Sequence, residues 1–119
     1  MEKYVDGFLI PIARNRLDDY QAMAEQAGAV WKEHGALEYY ECVGDDLDKE
    51  GMASFLQSAG CGPEETVILS WIVYPSRADR DRINAAVMAD PRIAASLPPE
   101  MPFDCKRMAY GGFAPIVVA

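Results

Sequence analysis

The segment from Thr66 to Tyr74 constrains the fold of this chain more than any other part of the sequence. It reads TVILSWIVY, so β-branched or aromatic residues occupy most of its positions. In a strand, successive side chains point to opposite faces, and here both alternating sets are largely apolar. The sequence therefore predicts a central β-strand whose two faces are both shielded from water.

Two amphipathic helices are predicted between the strands. The first begins at Asn15, a residue type that caps helix N-termini, and ends at Gly35, which suits the left-handed conformation of a helix end. The second begins at Ser76, with Asp79 three residues later as in a capping box, and stops before Pro91. Each helix carries its apolar residues at spacings of three and four, which predicts one buried face per helix.

Three further apolar segments complete a set of four predicted strands. They are Tyr4–Ile12, Leu37–Val43 and Lys106–Val118. We expect Gly7 to mark a bulge or a close approach in the first strand, and the last strand to be broken or bulged at residues 111–112, because glycine inside a strand often marks one of these features.

The resulting order is βαββαβ, the ferredoxin-like arrangement of an α+β protein with two helices on one face of a four-stranded antiparallel sheet. We expect residues 1–119 to form a single domain of this kind, with a variable acidic insertion at residues 44–65. Two helices cover only one face of such a sheet. The simplest cover for the second face is the sheet of another copy, related by a two-fold axis. The sequence therefore predicts a homodimer.

Charge and cysteine content exclude several classes of partner. Lys and Arg number 11 against 19 Asp and Glu, so the net charge is −8, which repels phosphate backbones and anionic lipid headgroups. We therefore expect no nucleic-acid partner and no membrane partner. Three cysteines, an odd number, do not form a typical disulfide framework, and they favour a cytoplasmic location.

The sequence contains no complete metal or cofactor motif. The acidic run that starts at Asp46 resembles a calcium-binding loop, but Gln57 stands where the bidentate glutamate belongs. His34 is the single histidine, so a multi-histidine site is excluded, and we interpret it as a hydrogen-bonding residue at a helix end. We expect no metal and no cofactor.

Polar residues that interrupt the apolar strands are the candidate functional residues. Asp6 lies in the first strand, Glu41 in the second, and Arg107 and Tyr110 in the last. If they converge on an apolar pocket, a carboxylate there has a raised pKa and can act as a general base or acid. We take Asp6 and Glu41 as candidate catalytic residues, and Trp71, Arg107 and Tyr110 as candidate ligand-binding residues.

A purely structural role is the competing interpretation of these carboxylates. Asp6 or Glu41 would then pair with Lys106 or Arg107 across neighbouring strands. Structural ion pairs outnumber catalytic ones in proteins, so the residue types alone favour this interpretation.

Several strings of the sequence together carry a family resemblance. They are YVDGF at 4–8, SWIVYPS at 70–76, DPR at 90–92, MPFD at 101–104, KRM at 106–108 and YGGF at 110–113. In combination they resemble the YbaA-like family of small bacterial proteins, a family of unknown function (domain of unknown function 1428). The family is similar to the dimeric α+β barrel group, which implies the sheet-to-sheet dimer. The resemblance supplies no reaction and no catalytic residues.

Three functions are left open by the sequence. The first is binding of a small molecule in a pocket between the sheet and the helices. The second is a cofactor-independent enzyme, monooxygenase-like or isomerase-like, with a strand carboxylate as base. The third is a non-catalytic homodimer that serves as a protein-interaction module. A convergent pocket with a carboxylate of raised pKa favours the second, whereas an exposed apolar patch near residues 97–103 favours the third.

Overall fold

The computed structural model describes residues 2–119 and contains one antiparallel sheet with the strand order β2-β3-β1-β4. The strands are β1 (Tyr4–Ala13), β2 (Glu38–Val43), β3 (Glu65–Tyr74) and β4 (Ala109–Phe113). The helices are α1 (Leu17–Glu33), α2 (Phe55–Ala59), α3 (Arg77–Met88) and α4 (Pro91–Ser96). This is the ferredoxin-like α+β fold that the sequence predicts, and β3 is an interior strand.

The helix boundaries confirm one predicted N-cap and contradict the other. Ser76 caps α3 by accepting a hydrogen bond from the backbone N–H of Asp79 at 3.1 Å. Asn15 does not cap α1, because the chain leaves β1 directly into a 3₁₀ turn over Arg14–Arg16 and α1 begins only at Leu17. Gly35 follows the end of α1 with a φ of 119°, as expected for a left-handed terminating residue.

Gly7 marks a close approach, one of its two predicted alternatives, and the predicted break or bulge at residues 111–112 is wrong, because the pairing of β1 with its neighbours continues without an extra residue. Gly7 lies opposite Trp71 on one side and Gly111 on the other. A Cβ atom at Gly7 would lie 3.2 Å from a ring carbon of Phe113, so the missing side chain makes room for an aromatic ring. The last strand is also shorter than predicted, since residues 105–107 form a 3₁₀ turn whose N-cap is Asp104.

One face of the sheet packs against the helices and forms the core. Side chains that alternate along β1 and β3 meet α1 and α3 there, and the fully or nearly fully buried ones include Ile12, Ile72, Tyr74, Ile83 and Val87. At roughly 1.5–3 kcal/mol for each large apolar side chain removed from water, this face supplies most of the driving force for folding.

The opposite face of the sheet is covered at one end only. Segment 44–64, which contains α2, contacts β1 and β3 and leaves Pro11 and Val67 buried. Further along the same face, Leu69 is 42% exposed and Phe113 is 62% exposed. Segment 44–64 thus covers part of this sheet face. The sequence predicts that a second copy of the chain covers it. Within residues 2–119, the structure contains no helix that is long and apolar enough to cross a membrane.

Candidate functional site

A pocket of about 690 Å³ lies between α1 and the edge strand β2. Its walls come from both elements, since β2 contributes Tyr39, Glu41 and Val43 while α1 contributes Tyr20 and Ala24 among others. In β2 the odd-numbered residues face the helices, which is why these three side chains share the pocket. The alternation of this strand therefore places one carboxylate in an otherwise mostly apolar wall.

Glu41 is held in this wall by hydroxyl groups. Its Oε1 accepts a hydrogen bond from the Tyr20 hydroxyl at 2.6 Å, and its Oε2 accepts one from the Tyr39 hydroxyl at 2.7 Å. Burial raises the pKa of Glu41, and the hydrogen bonds from Tyr20, Tyr39 and Ser70 oppose that rise. Glu41 therefore differs from a structural ion-pair carboxylate, because its partners are neutral hydroxyls.

The two tyrosines act as fixed donors to this carboxylate. Burial, followed by the charge of Glu41, raises the pKa of Tyr20 and that of Tyr39 well above the ordinary phenol value. Both phenols therefore stay protonated throughout the physiological pH range.

A second, smaller cavity of about 130 Å³ lies between α1 and the interior strands β1 and β3 of the sheet, and is called the inner cavity for that reason. It shares four wall residues with the outer pocket, namely Tyr20, Ala24, Tyr39 and Glu41. Phe103 closes part of it and meets the Tyr20 ring edge-on, with ring centroids 5.6 Å apart. The Glu41 cluster thus stands between an outer pocket and an inner cavity.

Asp6, the other candidate catalytic residue, lies in a separate polar cluster and is only 1% exposed. Its carboxylate is 3.4 Å from an Arg80 guanidinium nitrogen, 3.3 Å from the Tyr110 hydroxyl and 3.4 Å from the Asn84 side-chain nitrogen. Arg80 also lies over the Tyr4 ring, 4.9 Å from its centroid. These contacts identify Asp6 as one half of a buried ion pair.

The cluster around Asp6 continues across the core through neutral groups. The Tyr74 hydroxyl donates to the Asn84 side-chain oxygen at 2.9 Å and lies 3.1 Å from the indole N–H of Trp31. The Trp31 ring in turn packs against Tyr39, with centroids 6.0 Å apart. The two polar clusters are therefore joined by one aromatic contact.

The structure does not bring all the sequence-predicted site residues together. It places Asp6 beside Tyr110, but Glu41 lies two strands away, because β3 runs between β1 and β2. Trp71 points to the opposite face of the sheet, where it stacks on Tyr40 at 5.0 Å. The predicted convergence on one pocket is thus wrong, since strand order and side-chain alternation separate these groups.

Arg107 also lies apart from the pocket. Its guanidinium donates two hydrogen bonds to Glu65, at 2.8 and 2.7 Å, and one to the Gly60 carbonyl oxygen at 2.7 Å. The two bonds from Arg107 to Glu65, together with one from the Gly62 backbone N–H, lower the pKa of Glu65 to about 2. The predicted pairing of Asp6 or Glu41 with Arg107 is therefore wrong, because Arg107 sits in the 3₁₀ turn before β4 begins.

Three important residues of these clusters lie outside the set of site residues that the sequence predicts: Tyr20, Arg80 and Asn84. Tyr20 belongs to the apolar stripe of α1. Its hydroxyl does indicate a polar partner in the core, since a buried tyrosine hydroxyl needs a hydrogen-bond partner. Arg80 and Asn84 are four residues apart on α3 and share a face, but their partner Asp6 is more than seventy residues away in sequence. No local pattern connects them.

Metal ligands do not gather in this structure. Among residues 2–119, no group of three or more His, Cys, Asp and Glu side chains is placed to hold a metal ion. His34 lies 2.9 Å from Asp90, whose carboxylate also caps α4. His34 thus links the end of α1 to the start of α4.

The raised pKa of Glu41 predicts a specific dependence of stability on pH. Between the ordinary glutamate pKa of about 4.3 and the higher value in the fold, the folded chain binds more protons than the unfolded chain. The free energy of unfolding should therefore fall as pH rises through that window, by at most about 1.4 kcal/mol per pH unit. Urea denaturation of the native chain and of Glu41→Gln should show this fall only in the native chain.

The difference between the two unfolding curves isolates Glu41 from other carboxyl groups. Glu65 and Asp90 have lowered pKa values, so the stability that they contribute is lost as pH falls, which is opposite to the effect of Glu41. Both groups are present in each protein, so their effects cancel in the difference. A difference that stays constant with pH, or that grows in favour of the native chain as pH rises, would contradict this reading.

Comparison with known proteins places the chain in a family. A family model described as "Protein of unknown function (DUF1428)" matches residues 3–105. The uncharacterized protein YbaA of Escherichia coli strain K12 is 41% identical over 115 residues, which cover 97% of each chain. The same identity and coverage are found for uncharacterized YbaA of Shigella flexneri.

Solved structures with the same fold include NIPSNAP proteins. A NIPSNAP family protein of unknown function from Agrobacterium tumefaciens matches with a TM-score of 0.58 at 17% identity, over 96% of this chain and 88% of that one. An uncharacterized NIPSNAP-like domain protein from Burkholderia xenovorans also gives 0.58, at 14% identity, over 99% and 89%. At these identities the likeness shows a shared fold. On its family match and its 41% identity to YbaA, the chain belongs to the DUF1428 family.

Proposed function

We propose that this protein binds a small molecule in the pocket between α1 and β2, with Glu41 as the polar anchor. The observation that carries the proposal is one partly buried carboxylate, held by two tyrosine hydroxyls, in a pocket of about 690 Å³ whose other charged residues, Asp18, Glu25 and Lys32, are exposed. A few fixed polar groups in an apolar concavity of 300–1,000 Å³ are typical of sites for small ligands.

The charges around this pocket favour a neutral or cationic ligand over an anion. Asp18, Glu25 and Glu41 all line the pocket, against one cation, Lys32. The Lys32 ammonium already donates to the Leu37 carbonyl oxygen at 2.7 Å. An anion would therefore enter a field of its own sign, whereas a hydroxyl or amine could donate to Glu41.

A thermal-shift screen of neutral and cationic metabolites tests this proposal. We expect at least one compound to raise the melting temperature of the native chain and to lose that effect in Glu41→Gln. The matched control is Glu64→Gln, which neutralises an exposed glutamate outside the pocket. If every hit stabilises Glu41→Gln as well as it stabilises the native chain, the pocket is not the binding site.

Proton transfer by Glu41 is a second candidate function, favoured by its raised pKa. A carboxylate with a raised pKa is a stronger base and can accept a proton from a bound ligand and return it elsewhere, which is isomerase-like chemistry without a cofactor. Asp6 is poorly suited to this role, because it is buried against Arg80. Deuterium uptake from D₂O into a carbon of a bound hit, lost in Glu41→Gln, would support proton transfer, and its absence for every hit would exclude it.

We also propose that the protein is a homodimer formed through the open sheet face, the face opposite α1 and α3. This face carries exposed Tyr40, Leu69 and Phe113, and Trp71 stacks on Tyr40 there. The segment that follows β4 in the sequence carries a further exposed apolar residue, Ile116. The occupant is a second copy, because two such sheets related by a two-fold axis would cover each other's apolar side chains.

Leu69→Lys should convert this dimer to a monomer. Leu69 is already 42% exposed in the single chain, so lysine costs the monomer little, but the dimer would bring two ammonium groups into one apolar interface. Sedimentation equilibrium at micromolar concentration should give twice the 13.1 kDa chain mass for the native protein and for Met88→Lys, a matched change on an exposed residue elsewhere. A native protein of 13.1 kDa would refute the dimer.

We further propose a cytoplasmic location without a nucleic-acid partner. Cys42, Cys61 and Cys105 are all free, as suits a reducing compartment, and the net charge of −8 opposes binding to phosphate backbones. Cell fractionation of the tagged protein tests the location.

A further inference from the structure

We propose that the ligand of this site is a neutral, single-ring aromatic molecule with a hydroxyl group, of the phenol class. Its ring would occupy the inner cavity and its hydroxyl would donate to Glu41. This inference rests on the proposed function and narrows it to one class of ligand.

The volume of the inner cavity sets the size of the buried group. The cavity measures about 130 Å³, close to the roughly 150 Å³ of an engineered apolar cavity that accommodates benzene. This volume matches one six-membered ring. The remainder of a larger ligand would extend into the outer pocket.

The chemistry of the cavity wall selects an aromatic ring over an aliphatic one. Its apolar lining is dominated by aromatic rings and thioethers, contributed by Phe8, Trp31, Phe103, Met23 and Met108. Aromatic rings gain from edge-on or offset contacts with aromatic neighbours beyond their area burial, and thioether sulfurs also make favourable contacts with rings.

The hydrogen-bond capacity of Glu41 selects a donor on that ring. An ionised carboxylate offers about four acceptor positions, and the hydroxyls of Tyr20 and Tyr39 occupy two of them. A ligand O–H group in the cavity could donate to one of the positions that these two hydroxyls leave open. A carboxylate on the ligand would instead meet Glu41 as a like charge, and an ammonium would be placed beside apolar walls.

Methionine methyl groups report directly on this cavity in the native protein. Met23 and Met108 line the inner cavity, whereas Met52 and Met88 are exposed elsewhere. In protein labelled with ¹³C at the methionine methyls, phenol should shift the Met23 and Met108 signals and show nuclear Overhauser contacts to them, while Met52 and Met88 stay unchanged. Toluene should bind at least tenfold more weakly, the factor expected for a lost hydrogen bond to a charged group, and benzoate should leave all four signals unchanged.

Two matched variants separate the inner cavity from the outer pocket. Ala27 lines only the inner cavity and Ala29 only the outer pocket. Ala27→Leu should therefore weaken phenol binding at least tenfold, and Ala29→Leu should leave it within about twofold. Glu41→Gln should remove the preference for phenol over toluene, because it removes the charge that strengthens the hydrogen bond.

The outcomes distinguish this inference from the function on which it rests. The inference is overturned if phenol leaves Met23 and Met108 unchanged, or if toluene and benzoate bind as well as phenol. If a screen hit still binds in a Glu41-dependent way but is insensitive to Ala27→Leu, the inference fails and the proposed function stands. If neither phenol nor any screen hit depends on Glu41, both fail.

Discussion

Replacing Arg80 by methionine should lower the free energy of unfolding by about 3–5 kcal/mol, the cost of leaving one member of a buried ion pair without its partner. Asp6 is 1% exposed, and its Oδ1 accepts no hydrogen bond, so the nearby Arg80 guanidinium at 3.4 Å is its main compensation. Methionine keeps much of the packing volume of the arginine stem but removes the charge. Urea denaturation followed by circular dichroism measures the difference.

Two further variants show whether the effect comes from the ion pair. Arg82→Met makes the same change on the same helix, but Arg82 is 62% exposed and its pairing with Asp79 should contribute less than about 1 kcal/mol. Asp6→Asn combined with Arg80→Met should be more stable than Arg80→Met alone, because no unpaired charge remains buried. If Arg80→Met costs no more than Arg82→Met, Asp6 is compensated by something other than Arg80.

The fold was predictable because its main signals are local or follow from side-chain alternation. The apolar run from Thr66 to Tyr74 identified the interior strand β3, and the Ser76 cap and the Gly35 terminus lie where the structure has them. Local signals left alternatives open where tertiary contacts decide the outcome. At Gly7 the structure has the close approach, to Phe113, and not the bulge, and that contact joins two strands about a hundred residues apart.

The candidate site was only partly predictable, for reasons of geometry. Their polar character within apolar strands indicates Asp6 and Glu41 as candidates, but the sequence does not show which side chains a strand residue contacts. Arg80 reaches Asp6 from a helix that starts more than seventy residues later, and Tyr20 reaches Glu41 from α1. Trp71 alternates to the other face of β3 from Ser70, which faces Glu41, so its side chain lies away from the pocket.

Helix α1 approaches β2 closely at Gly28. Whether Gly28→Ala raises or lowers the free energy of unfolding should therefore depend on the Tyr39 ring. A Cβ atom at Gly28 would lie 2.8 Å from a ring carbon of Tyr39, which real Cβ atoms do not tolerate. Gly28→Ala should therefore push the Tyr39 ring off Glu41 and Trp31, at the 1–3 kcal/mol typical of overpacking. Alanine also favours the helix by about 1 kcal/mol over glycine, so the expected net loss is up to about 2 kcal/mol.

Removing the ring of Tyr39 should reverse the effect of the same substitution. In a Tyr39→Ala background nothing remains for the new methyl group to displace, so Gly28→Ala should stabilise the chain by about 1 kcal/mol through helix propensity alone. A double-mutant cycle of unfolding free energies measures this reversal. Displacing the Tyr39 hydroxyl also removes a donor from Glu41, so Gly28→Ala should further raise the pKa of that carboxyl. If Gly28→Ala changes the free energy of unfolding in the same direction in both backgrounds, the Tyr39 ring is not what requires glycine here. The hydroxyl cluster around Glu41 is then not fixed by the packing of α1 on β2.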